Sequence, residues 1–424
     1  MTTHLRPSRL SLISFVVITL LVAACGASTP SASPAPTATP STPAPTGSPV
    51  PSSAPSTPAP TSSPDTTGWQ LVGSMAFPRL GARSVLLQDG TILVVGNRPC
   101  VAAGEPTSSE RAEVFDPTTG TWSAVASLNK QRDGGALVAL SGGKAMVLGG
   151  TNAQSEPYSS TKVYSPSTHA WTDGPLMERA GAIDAVALAD GGVLAVGQSR
   201  AEILKAGGTT WRRTTLPPAD FLVQQLHLLP SGDVLAIGER DDEQGIAATL
   251  IFDTDRSAWR TFPAPDVLRP QFVVLTDGSI LAIGDDEGGS HIQRYDPASK
   301  AWGEPAQMAQ GRVRAQITLL PDGRVLVAGG VPLTSTPVDG GYSVTEGPAI
   351  ATSELYDPKT NTWTPGLSLH SARQGGQAMT LADGSVLVFG GYVETPDEAP
   401  AADTGTPSTC PTPSATTERL GPSS

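Results

Sequence analysis

The sequence contains little charge, few aromatic side chains and little cysteine. Of its 424 residues, 16% are charged, 5% are aromatic and only 3 are cysteine. The net charge is -12. Binding to a phosphate backbone normally requires a cluster of cationic side chains, so we expect no nucleic-acid partner. The composition also disfavours helices, because 45 Gly and 40 Pro suit short strands that are joined by tight turns.

A long apolar run occurs at the start of the chain. Arginines precede the run, which extends from Leu10 to Val22 and is followed by small residues and Cys25. This order is typical of a secretory signal, and the run is too short for a membrane span. The segment "LVAAC" resembles the lipobox of bacterial lipoproteins, which implies cleavage before Cys25 and a lipid on its thiol. We therefore expect a signal peptide at residues 1–24; an ordinary signal with an incidental cysteine is the alternative.

The segment that follows is almost entirely Ser, Thr, Pro and Ala, as in "SPAPTATPSTPAPTGSP". Such a segment has no apolar surface to bury, so residues 25–67 predict a disordered, lipid-anchored linker. An extended chain of this length reaches on the order of 100 Å at ~3.1 Å per residue. We expect it to act as a tether for a folded domain at residues 68–424.

One spacing recurs along the rest of the chain. In the segment "VFDPTTGTW" an aromatic residue lies seven residues before a tryptophan, and later segments repeat this arrangement. The pairs are Phe115 and Trp122, Tyr164 and Trp171, Phe252 and Trp259, Tyr295 and Trp302, and Tyr356 and Trp363. A further copy keeps an apolar residue, Leu204, seven positions before Trp211. A spacing held through so many copies predicts a repeat protein.

A second pattern precedes each tryptophan segment: a turn that contains Gly, followed by an apolar run that ends in Gly. Seven copies occur, from "QDGTILVVG" in the first unit to "ADGSVLVFGG" in the last. Apolar residues on both sides of an Asp-Gly turn predict a β-hairpin. Each unit therefore predicts a four-stranded antiparallel sheet, and such sheets arranged around an axis form a β-propeller.

These units resemble kelch repeats, such as those in the central domain of galactose oxidase. The resemblance is carried by a double glycine after the second strand, and by Tyr-Asp-Pro and Trp downstream of it. The double glycine occurs at Gly149–Gly150, Gly329–Gly330 and Gly390–Gly391. The resemblance covers residues 68–424 and implies an all-β, kelch-type β-propeller. Four units keep only one glycine, and the third unit lacks Tyr-Asp-Pro.

The two ends of this domain complement each other. The last unit begins at Arg373 and has no tryptophan after its hairpin, whereas Trp69 precedes the first hairpin. We therefore expect the N-terminal residues to supply the outermost strand of the last blade, beside a third strand at residues 416–420. Such closure removes two free sheet edges. The repeats then predict seven blades; six is the alternative if the last unit is not a blade.

The longest loops belong to the sixth, seventh and first units, at residues 331–352, 392–415 and 97–109. These loops share one face of the predicted ring, where binding residues usually collect. Cys100 lies in the loop of the first unit and Cys410 in that of the seventh. Because those blades touch in a closed ring and export permits disulfides, we predict a Cys100–Cys410 bridge. Two unpaired thiols are the alternative.

Four arginines lie at one offset, eleven residues before the glycine of the turn: Arg79, Arg132, Arg312 and Arg373. In kelch-like propellers this position lies near the central channel. The cluster predicts either a site that grips a carboxylate or sulfate, or arginines that bond backbone carbonyls and hold the blades together. Tyr342 and Tyr392, in the long loops, are candidate sugar contacts. The tryptophans are interpreted as packing residues between blades.

The sequence contains no complete catalytic set. Copper radical oxidases resembling galactose oxidase need two histidines, an axial tyrosine and a tyrosine cross-linked to cysteine. Of the 5 histidines, His227, His291 and His370 belong to separate units, so we expect no copper, other metal or cofactor. The acidic segments Asp241–Glu243 and Asp285–Glu287 match no calcium loop and are interpreted as solvated turns. A sugar mutarotase needs only a positioned acid and base and stays open as an alternative.

These features predict an exported, lipid-anchored, monomeric propeller that acts as a binding module at the cell surface. Its expected partner is a protein or a glycan, and the expected site is formed by Arg79, Arg312 and Arg373 beneath the long loops. The expected binding role rests on the resemblance of fold alone, and propellers host many unrelated functions. A carbohydrate-acting enzyme of the mutarotase or oxidase type is the alternative, and a purely structural envelope protein is a third.

Overall fold

The computed structural model describes residues 68–79, 81–96, 110–152, 154–179, 184–197, 199–240, 247–286, 289–338, 341–393 and 413–422. They belong to one compact unit of the chain, Ser63–Ser424. Their regular structure consists of β-strands, and the all-β prediction is confirmed. Within these ranges no helix has the length and apolar character of a membrane span.

The strands are short and follow one another closely along the chain. Those of the first half are β1 (Trp69–Val72), β2 (Arg83–Leu86), β3 (Ile92–Val95), β4 (Ala112–Asp116), β5 (Thr121–Val125), β6 (Ala136–Ala139), β7 (Ala145–Leu148), β8 (Thr161–Ser165), β9 (Ala170–Asp173), β10 (Asp184–Ala187), β11 (Val193–Gly197), β12 (Arg200–Leu204), β13 (Trp211–Arg213), β14 (Phe221–Leu228), β15 (Val234–Arg240), β16 (Ala247–Asp253) and β17 (Ala258–Thr261). Those of the second half are β18 (Leu268–Val274), β19 (Ile280–Asp286), β20 (Gly289–Asp296), β21 (Ala301–Trp302), β22 (Ala306–Gln307), β23 (Arg312–Val313), β24 (Gln316–Leu319), β25 (Val325–Ala328), β26 (Val331–Val338), β27 (Gly341–Glu346), β28 (Ser353–Asp357), β29 (Thr362–Pro365), β30 (Arg373–Gln374), β31 (Gln377–Thr380), β32 (Val386–Phe389), β33 (Tyr392–Val393) and β34 (Thr417–Leu420).

Seven antiparallel sheets of four or five strands lie in the described ranges, and we number them I to VII along the repeats. Sheets I to IV have the strand orders β2-β3-β4-β5, β6-β7-β8-β9, β10-β11-β12-β13 and β14-β15-β16-β17. Sheet V is β18-β19-β20-β21 with β22 beside β20, sheet VI is β24-β25-β28-β29, and sheet VII is β31-β32-β34-β1. Two smaller sheets, β23-β26-β27 and β30-β33, lie in the sixth and seventh units.

The tight turn between the first two strands begins at a leucine in every one of these sheets. In sheet I the Leu87 amide donates to the Thr91 carbonyl over 2.8 Å, and equivalent bonds start from the leucines of the other turns. Gly90 has a φ of 87°, in the left-handed region that favours glycine. The Asp-Gly pattern of the sequence therefore marks a backbone requirement of the turn.

The N-terminal strand completes the last sheet. Strand β1 pairs antiparallel with β34, with Trp69 opposite Leu420, and β34 pairs with β32 on its other side. The predicted closure of the last blade by N-terminal residues is therefore confirmed. Because β1 and β34 lie at opposite ends of the domain, this pairing joins the two ends of the repeat array.

Hydrophobic clusters fill the junctions between consecutive sheets. The cluster between sheets I and II contains Leu93 and Val147, and the cluster between sheets VII and I contains Phe389 and Phe115. Equivalent clusters join the remaining consecutive pairs of sheets. The contacts between the described sheets therefore form a closed cycle.

The outer strand of each sheet carries one tryptophan, and most of these side chains bond towards the preceding sheet. Trp171 Nε1 lies 2.7 Å from the Ala126 carbonyl oxygen, in the link that leaves sheet I. Equivalent bonds start from Trp69, Trp122, Trp211, Trp259 and Trp302. Trp363 Nε1 has no partner among the described residues. The tryptophans pack between sheets, as the sequence predicts.

The closing strand supplies a direct stability test. Trp69 is 3% exposed and its Nε1 donates to the Leu367 carbonyl over 2.8 Å, so we expect Trp69→Ala to lower the free energy of unfolding by about 3–5 kcal/mol. Leu71 lies on the same strand and is 60% exposed, so Leu71→Ala should change it by less than about 0.5 kcal/mol. Urea unfolding measures both, and equal effects would contradict the role given to Trp69.

Candidate ligand-binding site

The four aligned arginines lie in the links that enter sheets I, II, VI and VII, and all are buried. Arg79, Arg132, Arg312 and Arg373 are 2%, 5%, 4% and 0% exposed. Each Nη1 donates to the carbonyl of the glycine that lies 17 residues further along the chain. Each Nη1 also donates to the carbonyl that precedes the third strand, which for Arg312 is Thr352 at 2.7 Å. The arginines therefore occupy equivalent positions in the four units.

Three of these arginines form buried ion pairs with a glutamate of the third strand. Arg79 contacts Glu113 at 2.8 Å, and Arg312 and Arg373 contact Glu354 and Glu418 at 2.7 Å. The sequence reasoning missed these glutamates. A readable signal was present, because each lies two residues before the residue that pairs with the outer tryptophan.

Each glutamate also accepts hydrogen bonds from the backbone of the link. Glu418 Oε2 accepts from the His370 amide at 2.6 Å, and its Oε1 accepts from the Ser371 amide at 3.3 Å. Burial lowers the pKa of the Arg373 guanidinium, and the charge and hydrogen bond of Glu418 oppose this shift. The carboxylate thus ties the guanidinium, the link and the third strand together, and this favours the structural interpretation of Arg79, Arg312 and Arg373.

Arg132 differs from the other three because it has no carboxylate partner among the described residues. The equivalent of the glutamate in sheet II is Lys162, which pairs instead with Asp173 at 2.7 Å. Arg132 donates to the Ser160 carbonyl and hydroxyl, and its guanidinium lies 4.8 Å from the ring centroid of Tyr158. Its buried Nε has no hydrogen-bond partner in the described part of the chain. The buried Nε of Arg373 also lacks a partner within the described ranges, so what distinguishes Arg132 is the missing carboxylate and not the unpartnered Nε.

A pocket of about 340 Å³ lies beside Arg132, at the junction of sheets I and II. Its polar lining includes Arg83, Asp133 and Gln377, and much of the remainder is glycine and aliphatic side chain. The Arg83 side chain is exposed. Asp133 Oδ2 accepts from Gln131 at 3.2 Å, whereas its Oδ1 is buried and has no partner among the described residues. The lining of the pocket therefore includes the exposed Arg83 cation and the Asp133 carboxylate, whose unpartnered Oδ1 is buried.

Arg83 belongs to a ring of equivalent residues at the start of the inner strands. They lie seven residues before the turn glycine: Arg83, Ala136, Asp184, Gln225, Gln271, Gln316 and Gln377. Several of these side chains bond to the next sheet. Asp184 Oδ2 accepts from the Leu226 amide at 2.7 Å, and Gln377 Oε1 accepts from the Ser84 hydroxyl at 3.0 Å.

The junction between sheets I and II lacks such a bond. Arg83 forms no hydrogen bond to a described residue of sheet II, and the equivalent residue of sheet II is Ala136, which lines the pocket. Burial raises the pKa of Asp184, and the charge of Arg83 opposes this rise. The pocket therefore lies at the junction where the inner ring places the small apolar residue Ala136 next to the exposed Arg83.

The other residues predicted for the site lie away from this pocket or outside the described residues. Tyr392 is in β33, paired with β30, and Tyr342 is in the β26–β27 hairpin, which is ordered structure where the sequence predicted a loop. The side chain of Tyr342 is not among those described. Cys25, Cys100 and Cys410 lie outside the described residues, so the lipid attachment and the disulfide stay predictions, and the same holds for the acidic segment Asp241–Glu243.

The described histidines do not form a metal site. His227 lies in sheet IV and His291 in sheet V, whereas His370 follows sheet VI and its Nε2 lies 2.6 Å from the Trp69 carbonyl oxygen. His169 Nδ1 lies 2.9 Å from the Tyr164 hydroxyl. Among the described residues, no three His, Cys, Asp or Glu side chains are grouped so that they could hold a metal ion.

Comparison with known proteins supports the fold. No protein-family model and no curated protein matches the sequence. Among solved structures, a fungal alcohol oxidase of the AA5 family in complex with copper is 18% identical, with a TM-score of 0.55 over 84% of this chain and 76% of that chain. The chain folds as a β-propeller. At this identity the likeness shows the fold alone, and the scattered histidines of the described residues do not supply the donors of a copper centre.

The buried ion pairs predict that arginines differ widely in their contribution to the free energy of unfolding. Arg373→Ala would leave the Glu418 carboxylate buried and unpaired, so we expect a loss of about 3–5 kcal/mol in the free energy of unfolding. Arg213 forms a largely exposed pair with Glu178, so Arg213→Ala should cost no more than about 1 kcal/mol. Chemical denaturation distinguishes the two, and equal small losses would leave Arg373 available as a ligand-binding residue.

His227, on the inner strand β14 of sheet IV, predicts that the free energy of unfolding depends on pH. Burial lowers the pKa of His227 to about 4, from about 6.5 for an unfolded chain, so the folded state binds this proton less tightly. Its contribution to stability is complete above pH ~6.5 and falls by roughly 3 kcal/mol as the pH drops to ~4. The unfolding free energies of the protein and of His227→Gln should therefore converge or cross over this window. If the difference in unfolding free energy between the two proteins stays constant between those pH values, the lowered pKa of His227 is contradicted.

Proposed function

We propose that this protein is an exported, lipid-anchored β-propeller that binds a small ligand at the cell surface, in the pocket between sheets I and II. The signal at residues 1–24 and the linker at residues 25–67 support export and anchoring, and residues 68–424 form the binding domain. The observation that carries the proposal is the pocket itself, which is lined by the exposed Arg83 side chain together with Arg132 and Asp133.

The shape and lining of the pocket suit a small molecule. Pockets for such ligands usually have volumes of about 300–1,000 Å³, mostly apolar walls and a few polar groups that fix orientation. The pocket has about 340 Å³, with aliphatic residues such as Val95, Leu128 and Val147 in its walls. Its polar groups lie at the junction of sheets I and II, where Arg83 forms no hydrogen bond to a described residue of sheet II.

A carbohydrate-acting enzyme is the second candidate. The likeness to an alcohol oxidase supports this candidate about as much as a binding module, because it establishes only the fold. The described residues offer no grouped metal ligands. In the pocket lining, the Asp133 carboxylate is a candidate base for sugar mutarotation, whereas the Arg83 guanidinium stays charged and can only stabilise an anion. We therefore place binding first and test for anomeric conversion in the same experiment.

The binding function is tested by a thermal-shift screen of the purified full-length protein. We expect at least one small polar compound from a panel of sugar acids, neutral sugars and amino acids to stabilise the protein, by about 2.7 kcal/mol at a concentration one hundred times its Kd. Arg83→Ala should abolish the shift. Nuclear magnetic resonance follows the anomers of each sugar in parallel, so turnover would identify the enzyme instead.

A matched control comes from sheet III, where Arg212 is exposed on the outer strand β13. Arg212→Ala removes the same charge at a distance from the pocket and should leave the shift unchanged. A screen in which no compound stabilises the protein would contradict the binding function and favour a structural protein of the envelope.

A further inference from the structure

A second cleft lies between sheets IV and V, on the face of the tight turns. Its walls come from the tight turn of each sheet, from strands β16, β19 and β20, and from Arg260 and Phe262 at the end of β17. The cleft has a volume of about 580 Å³ and is larger than the pocket beside Arg83. The two are separate, since no described residue lines both.

Tyr295, on the third strand of sheet V, lines this cleft and differs from the equivalent tyrosines of sheets II and VI. The hydroxyl of Tyr164 lies 2.9 Å from His169 Nδ1, and that of Tyr356 donates to Asn361 Oδ1 over 2.7 Å. The hydroxyl of Tyr295 forms no hydrogen bond to a described residue. It is not one of the buried atoms that lack a partner, and Tyr295 is 7% exposed where the other two tyrosines are 0% exposed. The Tyr295 hydroxyl is therefore open to the cleft.

Two charged side chains beside Tyr295 also retain hydrogen-bonding capacity. Lys300 occupies the position of the histidine and asparagine in the other two units, and its exposed ammonium group pairs with no described carboxylate. Asp233 is partly exposed, and only its Oδ2 is engaged, by Arg260 Nη2 at 3.4 Å. None of these polar atoms is among the buried ones without a partner in the described ranges, so solvent reaches them. The cleft therefore presents free donors and a free acceptor.

An aromatic pair forms part of the apolar wall. The ring centroids of Phe262 and Tyr295 lie 4.5 Å apart with their planes inclined by 50°, and Phe262 is only partly buried. Ile251 and Ile280 complete this wall and are 0% and 1% exposed. An aromatic ring presents a flat apolar face, which matches the C–H face of a pyranose ring.

From these groups we infer that the cleft between sheets IV and V binds a neutral pyranose sugar. One face of the sugar ring lies against Phe262. Its hydroxyl groups donate to Asp233 and bond with the Tyr295 hydroxyl and Lys300. Because a hydroxyl group both donates and accepts, a neutral sugar completes free groups of both kinds, whereas an anion or a cation suits only one kind. The inference does not depend on the binding proposed beside Arg83.

The experiment measures sugar binding to the purified full-length protein by isothermal calorimetry. The probes are maltose, cellobiose and lactose, and the control is sorbitol, an open-chain polyol that has hydroxyl groups but no ring face. We expect at least one disaccharide to bind at least about tenfold more tightly than sorbitol, because sorbitol loses more conformational freedom and cannot stack. Failure of all three sugars to bind, or equal binding of sorbitol, would overturn the inference.

Two tyrosine variants connect this binding to the cleft. Tyr295→Phe removes a hydroxyl that no described residue uses, so we expect the affinity to fall by about fivefold while the melting temperature stays unchanged. Tyr356→Phe removes a hydroxyl that bonds Asn361, so it should lower the melting temperature and leave the affinity unchanged. Equal affinities of the unmodified protein and of Tyr295→Phe would overturn the inference.

Two further variants test the ring contact and the location. Phe262→Leu keeps an apolar side chain but removes the flat face, and we expect it to weaken the disaccharide by about fivefold. Arg83→Ala separates this cleft from the pocket between sheets I and II and should leave disaccharide binding intact. If Arg83→Ala abolished that binding, the sugar would occupy the pocket of the proposed function, and only the present inference would fall.

Discussion

The structure depends on the pairing of its first strand with its last. A β-sheet of this kind has two apolar faces and two edges, and each described sheet covers its faces with those of its neighbours. Without the β1–β34 pairing, sheet VII would lose its outer strand and Trp69, and the cluster it shares with sheet VI would be exposed. The closed cycle therefore turns a set of small sheets, none of which has a core of its own, into one domain.

Polar contacts then secure the inner side of this cycle, and they vary from unit to unit. Sheets I, VI and VII, which include the joined ends of the chain, each contain a buried arginine–glutamate pair. Such a pair contributes little net stability over an apolar replacement, yet breaking it is costly, so it specifies the geometry of the link. In sheet III the corresponding guanidinium comes from Arg200, on the third strand, and bonds the Arg179 carbonyl. In this unit the guanidinium that bonds the link therefore comes from a strand and not from the link itself.

The fold was largely readable from the sequence, whereas the site was readable only in part. Turns, hairpins and the Trp spacing depend on neighbouring residues, and the closure followed from counting where Trp69 and Arg373 fall in the repeats. The position of each glutamate is regular in the repeats, but its contact cannot be read from neighbouring residues, because Glu418 meets Arg373 across 45 residues. Aligning the repeats on their turn glycines identifies the four arginines, and the same alignment also identifies Arg83, four residues after Arg79. The pocket itself depends on Ala136 facing Arg83 across a junction, which only the arrangement of sheets reveals.

The residues of the inner ring differ from one junction to the next. The turns, tryptophans and hydrophobic clusters recur around the cycle, so the residues of the inner ring are free to differ wherever a bond to the next sheet is dispensable. Glutamine and Asp184 make that bond at several junctions, and Arg83 beside Ala136 does not. A copper centre would require grouped ligands, and the described histidines stand in separate units. The recognition of a charged group in the small aliphatic pocket beside Arg83 is therefore a proposal that the fold permits, since the likeness to an alcohol oxidase shows the fold alone.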